Sequence, residues 1–211
     1  MKICKVEGCE NKHKAKGYCK RHYNQMYKYG KILKRTRSDP NEIIIKGDIA
    51  EIVLYDAKHK ERARAIIDSE DVDKIKKYKW CIDKWCVKTV SKEKQLGIQH
   101  IIMETIPNKH KQIDHIDRDI LNNCKTNLRF CTHAENNRNK PKPTTNTSGY
   151  KGVYWHKKNQ TWVSQIGIRV KEKGKLEAIW LGTFHDKKKA AKAYNEAAIK
   201  YFGEFACLNN L

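Results

Sequence analysis

The 211 residues predict an α+β, multidomain fold. Three stretches carry that prediction. Residues 1–38 gather cysteines and a histidine where almost no aliphatic core is available. Residues 42–138 read as a β-rich unit that ends in a hairpin and a helix start. Residues 149–211 read as a three-stranded antiparallel sheet packed on one helix, after a stretch, 139–148, with the composition of a linker. A chain of this length divides naturally into two or three small domains. Lys and Arg outnumber Asp and Glu by 45 to 24, and the surplus of +21 calls for a polyanionic partner. An anionic membrane is one candidate, but no apolar run approaches the roughly 20 residues of a spanning helix. The opening "MKICKVEGCE" lacks the apolar stretch of a signal peptide. Nucleic acid is therefore the expected partner, with no membrane. The 8 cysteines, without an export signal, fit an intracellular, reducing setting in which thiols hold metals or lie buried.

In the first unit, Cys4, Cys9, Cys19 and His22 form two pairs of soft ligands separated by a short loop containing Gly17. Cys19 and His22 are three residues apart and can share one side of a first helical turn, while Cys4 and Cys9 flank a knuckle at Gly8. That set suits tetrahedral, structural Zn2+, whose binding can supply the folding free energy that a coreless segment lacks. His13 is a second imidazole that could stand in for His22. With twelve basic and two acidic residues, 1–38 reads as a zinc-finger DNA-binding module that grips phosphates.

The middle begins at Glu42 with short strands broken at Lys46-Gly47-Asp48 and again around Lys58 to Lys60. Val72, Ile75 and Tyr78 have helical spacing, and "WCIDKWCVKTV" reads as a hairpin turning at Asp83-Lys84. Asp114-His115 follows the apolar Ile113 at a strand end, Leu128 to Cys131 returns as a strand, and Thr132 to Glu135 fits a capping box that starts a helix carrying Asn136. A carboxylate from the first strand and an amide oxygen from the helix could then face each other and bind a hard cation, Mg2+ or Mn2+, with the neighbouring histidine placed to take a proton from water. Asn122 and Asn123 suit the intervening turn, and Asn127 can pin the loop through its side chain. Cys81 and Cys86 read as buried thiols; with Cys124 and Cys131 they could also make a four-thiolate site.

Asp114-His115, Asn127 and Asn136, at these spacings within residues 111–138, resemble the HNH nuclease motif in its H-N-N form, as in phage and intron-encoded homing endonucleases. The resemblance implies a ββα-metal unit in which His115 is the general base, Asn127 braces the loop, and Asp114 and Asn136 hold the catalytic metal. Asn137, next in sequence, leaves the last ligand open between two residues. A phage or intron origin would place the protein in the cytoplasm of a bacterial host.

In the last unit, strands are expected with turns near Lys158-Asn159 and Glu172 to Lys175. The helix that follows should be begun by Asp186 and stopped by Gly203, with Ala190, Ala191, Tyr194, Ala197, Ala198 and Tyr201 on its buried face. "YKGV", Trp162, "WLGTF", "AAKAYNEAA" and the final "LN" resemble the Apetala-two/ethylene-response-factor DNA-binding domain of plants from Gly149 to Asn209. The resemblance implies a sheet laid in the major groove, with Lys151, Tyr154, His156, Lys158, Gln165 and Trp180 as DNA contacts. Several arginine positions of that family hold other residues here, so the plant recognition sequence does not transfer, and Trp162 reads as core.

Together the three units predict a site-specific DNA endonuclease of homing type. It is expected to bind a long, asymmetric double-stranded site as a monomer and to nick one strand by metal-dependent hydrolysis. The competing reading is a non-enzymatic DNA-binding regulator, which would not need the Asp-His-Asn-Asn set; a structured-RNA binder is a third.

Overall fold

The computed structural model describes residues 2–33, 35–36, 39–90, 95–108, 111–169 and 176–211. Each unit forms from local signals in the chain. In the first, two isolated antiparallel bridges, Ile3 to Lys12 and Ala15 to Tyr18, fold the segment back before helix α1 (Lys20–Tyr29). Cys19 is the N-cap of α1, and Gly30 ends it in the left-handed region at φ 66°.

The middle unit opens with a meander of β1 (Ile43–Lys46), β2 (Ile49–Tyr55) and β3 (Glu61–Asp68), broken where the sequence expects. Alternation along β2 sends Ala50, Ile52 and Leu54 into the core, where they meet Ala65 and Ile67 of β3. Helix α2 (Val72–Ile75) is shorter than its apolar spacing suggests, because the chain leaves it in time to enter β4 (Trp80–Ile82). Tyr78 consequently stays exposed, at 42 %, packed edge-on against Trp80. β4 pairs with β5 (Val87–Thr89) around a turn in which Asp83 Oδ1 accepts the amides of Trp85 and Cys86. Helix α3 (Ile98–Ile102) adds Ile98 and Ile102 to the same core. Strands β6 (Gln112–His115) and β7 (Leu128–Cys131) pair antiparallel, and helix α4 (His133–Asn139) follows directly. Thr132 and Glu135 form the expected capping box. Ile113 of β6 and Leu128 of β7 join the meander's core, so the hairpin grows out of the larger unit. The loop between them also lies along β3: the Ile66 amide donates to Leu121 O at 2.7 Å, and Asn123 N to Ile66 O at 2.8 Å.

In the last unit β8 (Val153–His156), β9 (Thr161–Arg169) and β10 (Leu176–Phe184) form an antiparallel sheet in the order β10-β9-β8. Helix α5 (Lys187–Phe202) lies across it, capped by the Asp186 side chain and ended at Gly203. The expected turn from Glu172 to Lys175 lies outside the described residues. Ala190, Ala191, Tyr194, Ala197 and Ala198 are buried as expected. Tyr201 is not: it is 39 % exposed, and Phe202, one position on, turns into the core instead. Small residues let α5 lie close to the sheet, and Gly152 marks the tightest approach. A Cβ there would sit 2.0 Å from the Tyr194 ring and 2.7 Å from Gln165 O, at a φ of 75°. Gly152→Ala is therefore expected to destabilise this unit by about 3 kcal/mol or more, from overpacking plus left-handed strain. Thermal unfolding of the full chain checks this, and an unchanged midpoint would contradict the packing described.

Candidate nuclease centre and metal sites

Cys4, Cys9, Cys19 and His22 come together as a cluster whose ligand atoms all lie within 4.8 Å of one another. Cys4 Sγ is 3.2 Å from His22 Nδ1, Cys19 Sγ 3.6 Å from the same nitrogen, and Cys9 Sγ 3.9 Å from Cys19 Sγ. Zinc bonds of about 2.3 Å to sulfur and 2.0 Å to nitrogen, at tetrahedral angles, need ligand separations of this size. The donor set thus fits a structural zinc. Asn11 Nδ2 donates to Cys9 Sγ at 3.4 Å, the kind of outer support a metal-bound thiolate receives. His13 stands outside the cluster: its Nε2 accepts the Gly17 amide at 2.9 Å. The other cysteines do not gather. Burial raises the pKa of Cys81 and Cys86, and pushes Cys124 and Cys131 each up to about 11. Among the described residues no metal-binding group includes them, so the four-thiolate arrangement is not formed.

The β6–β7 hairpin and α4 surround a cleft of about 310 Å³ lined by Asp114, His115, Arg118, Asn136 and Asn139. Asp114 is buried and its Oδ2 accepts two bonds from Arg129, from Nε at 3.1 Å and Nη2 at 2.8 Å. The pair also spans the hairpin, since Asp114 and Arg129 are register partners. Asn139 Nδ2 lies 3.1 and 3.0 Å from the two Asp114 oxygens and 2.9 Å from His115 O. This residue, placed by composition at the head of the linker, is instead the buried last residue of α4. Asn136, one turn earlier, lines the cleft and donates from Nδ2 to Gln112 Oε1 at 2.9 Å. Asn137 accepts from Lys140 Nζ at 2.6 Å.

His115 Nε2 is 3.1 Å from Asn123 Oδ1, and Asn123 Nδ2 donates to Ile120 O at 3.0 Å. The second bond fixes which way the amide points, so Asn123 can only accept from the imidazole. Nε2 is therefore the donor in this contact, the arrangement that in a neutral ring leaves Nδ1 as the acceptor. Asn123 is fully buried, at 0 % exposure. Asn127 has both ends engaged: Oδ1 accepts the Asp117 amide at 3.0 Å, and Nδ2 donates to Asp117 Oδ1 and Asn122 O, each at 2.8 Å. Burial works to raise the Asp117 carboxyl, but donors from Asp119, Asn127 and Asn122 outweigh it and hold the pKa below its usual value. The Asp114 carboxylate, whose oxygens accept from Arg129 and Asn139, is the hard-oxygen donor at this cleft, of the kind that suits Mg2+ or Mn2+ rather than a thiophilic metal.

On the last unit, Val153, Ile166 and Ile179 face α5, so Tyr154, Gln165 and Trp180 face away from it, and Trp180 pairs with Gln165 across the strands. Tyr154 and Trp180 are exposed, the latter at 66 %. His156, at the end of β8, accepts the Asn159 amide through Nδ1 at 3.2 Å, and Lys158 lies in the exposed turn beyond it. Trp162 packs into the core beside Val153, tilted against Trp155 at 5.0 Å. Lys151 does not share the free face. Its Nζ donates to Arg138 O at 2.7 Å and to Lys140 O at 2.5 Å, and burial lowers its pKa.

A ββα hairpin with an acid-histidine strand end is thus joined to a sheet-on-helix module. Residues 104–138 match the family model described as HNH endonuclease, and residues 148–204 match the AP2 domain. The chain is thus similar to HNH endonucleases over the first of these segments and to AP2 domains over the second. It is 46 % identical over 60 residues to Protein 3.8 of Escherichia phage T7, a match covering 28 % of this chain and half the length of that relative. It is also 28 % identical over 192 residues to an uncharacterized HNH endonuclease, L560, of Acanthamoeba polyphaga mimivirus, covering 89 % of this chain and 96 % of that protein. Among the described residues no helix is long and apolar enough to cross a membrane.

Sequence reasoning located Asp114, His115, Asn127 and Asn136, and missed Asn123, Arg129 and Asn139 as partners in the centre. Asn123 read only as a turn residue. Arg129 looked like any strand arginine, although its register position opposite Asp114 was available from the hairpin.

Proposed function

We propose that this protein is a site-specific DNA endonuclease of homing type that hydrolyses one phosphodiester bond in a long, asymmetric double-stranded site. The observation that carries the reading is the cleft in which Asp114 and His115 meet the helix bearing Asn136. In that cleft His115 Nδ1 takes a proton from water, held in the correct tautomer by Asn123. Asp114 and Asn136 would hold a divalent cation, while Asn139 and Arg129 fix the Asp114 carboxylate and Asn127 braces the loop between the strands. Mg2+ or Mn2+, when bound there, would supply stabilisation of the charge that develops on the scissile phosphate and leaving oxygen. The zinc finger and the outer face of the β8–β10 sheet supply affinity and site choice, with Tyr154, His156, Lys158, Gln165 and Trp180 as contacts on or beside that face. A regulator that only binds would have no use for a tautomer-fixed histidine beside a buried carboxylate.

The chain offers one such centre, so a monomer reaches one strand; cutting both would need a second centre, usually from a two-fold dimer on a palindromic site. A supercoiled plasmid bearing one target site, digested with Mg2+ at low protein concentration, is expected to accumulate relaxed circles, with linear product late or absent. Prompt linear product whose rate rises with the square of protein concentration would contradict the single-strand reading. No cleavage of any plasmid or source-genome fragment, with Mg2+ or Mn2+, would remove the nuclease reading in favour of the regulator.

A further inference from the structure

We propose that the AP2 unit is a working part of the nuclease centre: its C-terminal turn, Gly203–Phe205, holds Arg129, and Arg129 holds the Asp114 carboxylate where the reaction needs it. The inference rests on the reading of Asp114 as the cation ligand. One guanidinium makes all the contacts. Nε and Nη2 donate to Asp114 Oδ2, Nη1 donates to Glu204 O at 2.7 Å, and the group lies 4.0 Å over the Phe205 ring. A guanidinium is planar and its donors form a fixed fork. The Asp114 oxygen and the Glu204 carbonyl therefore cannot move independently, and sliding the turn rotates the plane and shifts the carboxylate. Only 11 % of the Arg129 side chain is exposed, so water is poorly placed to replace either partner.

The other pieces of the ββα unit are tied to the AP2 unit as well. The loop after β6 sends Arg118 Nη1 to Cys207 Sγ at 2.9 Å, with Arg118 itself in the left-handed region at φ 69°, a conformation that persists only where surrounding contacts impose it. The C-terminal end of α4 offers the carbonyls of Arg138 and Lys140 to Lys151, and Arg138 lies 5.0 Å over the Phe202 ring. A sheet that merely concentrated the nuclease on DNA would need none of these contacts. They set the free face of the β8–β10 sheet at one orientation to the cleft and make Arg129 a positioning residue, which acts through Asp114.

The test uses the full chain as wild type, Phe205→Ala, Phe205→Tyr and Arg129→Lys, the last because a lysine cannot reach both partners at once. Four quantities are measured: turnover at saturating duplex, KM for DNA, Mn2+ binding without DNA by electron paramagnetic resonance, and alkylation of Cys207 followed by peptide mass. For Phe205→Ala and Arg129→Lys, turnover and Mn2+ affinity are expected to fall about tenfold or more while KM stays within about twofold, as for loss of an outer-layer support. Cys207, buried in the wild type, should alkylate faster in Phe205→Ala, and Phe205→Tyr should restore every quantity. Wild-type turnover and Mn2+ binding in both Phe205→Ala and Arg129→Lys overturn the proposal, whether or not Cys207 becomes reactive. A wild type that neither cuts DNA nor binds Mn2+ strikes the nuclease reading itself and takes this proposal with it. That outcome is recognised from the wild-type arm alone.

Discussion

His115→Ala is expected to lower DNA cleavage by about two to four orders of magnitude, the range for removing a general base, while leaving DNA affinity unchanged. His115 reaches its partner through Nε2, and it forms no part of the AP2 sheet's free face or of the zinc finger. The alanine also leaves Asn123 Oδ1 without its donor inside the protein, a cost of about 1–3 kcal/mol if the oxygen stays dry. Thermal unfolding should therefore accompany the kinetics, to separate lost chemistry from a loosened loop. Single-turnover cleavage with Mg2+ and a gel-shift titration without it supply the two readouts. Wild-type cleavage in the alanine variant would remove His115 from the role of base. Asn123→Ala is the informative companion: with the imidazole free to change tautomer, the rate should fall part of the way.

Removal of zinc is expected to unfold residues 1–38 and leave the other units folded. The residues of this segment that are buried are the ligands Cys4, Cys19 and His22, together with Gln25, while Ile3, Tyr27 and Tyr29 are exposed. Among the described residues of this segment there is no apolar interior to take over. Binding free energies of about 10–16 kcal/mol for structural zinc in small fingers greatly exceed what such a segment can muster alone. Cys19→Ser should reproduce the effect, because it removes a ligand while leaving a residue that suits the N-cap of α1. Circular dichroism and limited proteolysis before and after chelation, with zinc stoichiometry expected near one, provide the measurement. Retention of α1 after complete zinc loss would refute the account. The meander and the AP2 sheet should be indifferent, since each has its own core.

What could be read in the sequence was what local chemistry dictates. The ligand spacing of the finger, the capping box at Thr132, the breaks around Gly47 and the stop at Gly203 all depend on neighbours within a few residues, and all stand in the structure. Interactions between units were not readable. Lys151 carries the same ammonium whether it meets a phosphate or the carbonyls of Arg138 and Lys140, and only the docking of two units decides between them. The same holds for Asn139, which composition assigns to a linker and the fold buries against Asp114. Tyr201 and Phe202 are adjacent at the margin of one helical face, where a 100° step leaves the choice of buried ring to the packing beneath.

The backbone bonds between β3 and the loop at Leu121 to Asn123 bear on how small a nuclease of this kind can be. The HNH match begins at residue 104, yet the loop that fixes His115 is stitched to Ile66, and Ile113 and Leu128 complete a core begun by β2 and β3. Cut away at residue 104, the hairpin would show its apolar underside to water. The loop carrying Asn123 would also lose the strand against which it is laid. Without the loop, in turn, Ile66 of β3 would lose the partners of its amide and carbonyl on the outer edge of the sheet. The minimal excisable nuclease therefore starts near Glu42, and a fragment trimmed to the motif should emerge from expression as insoluble material rather than as a weak enzyme.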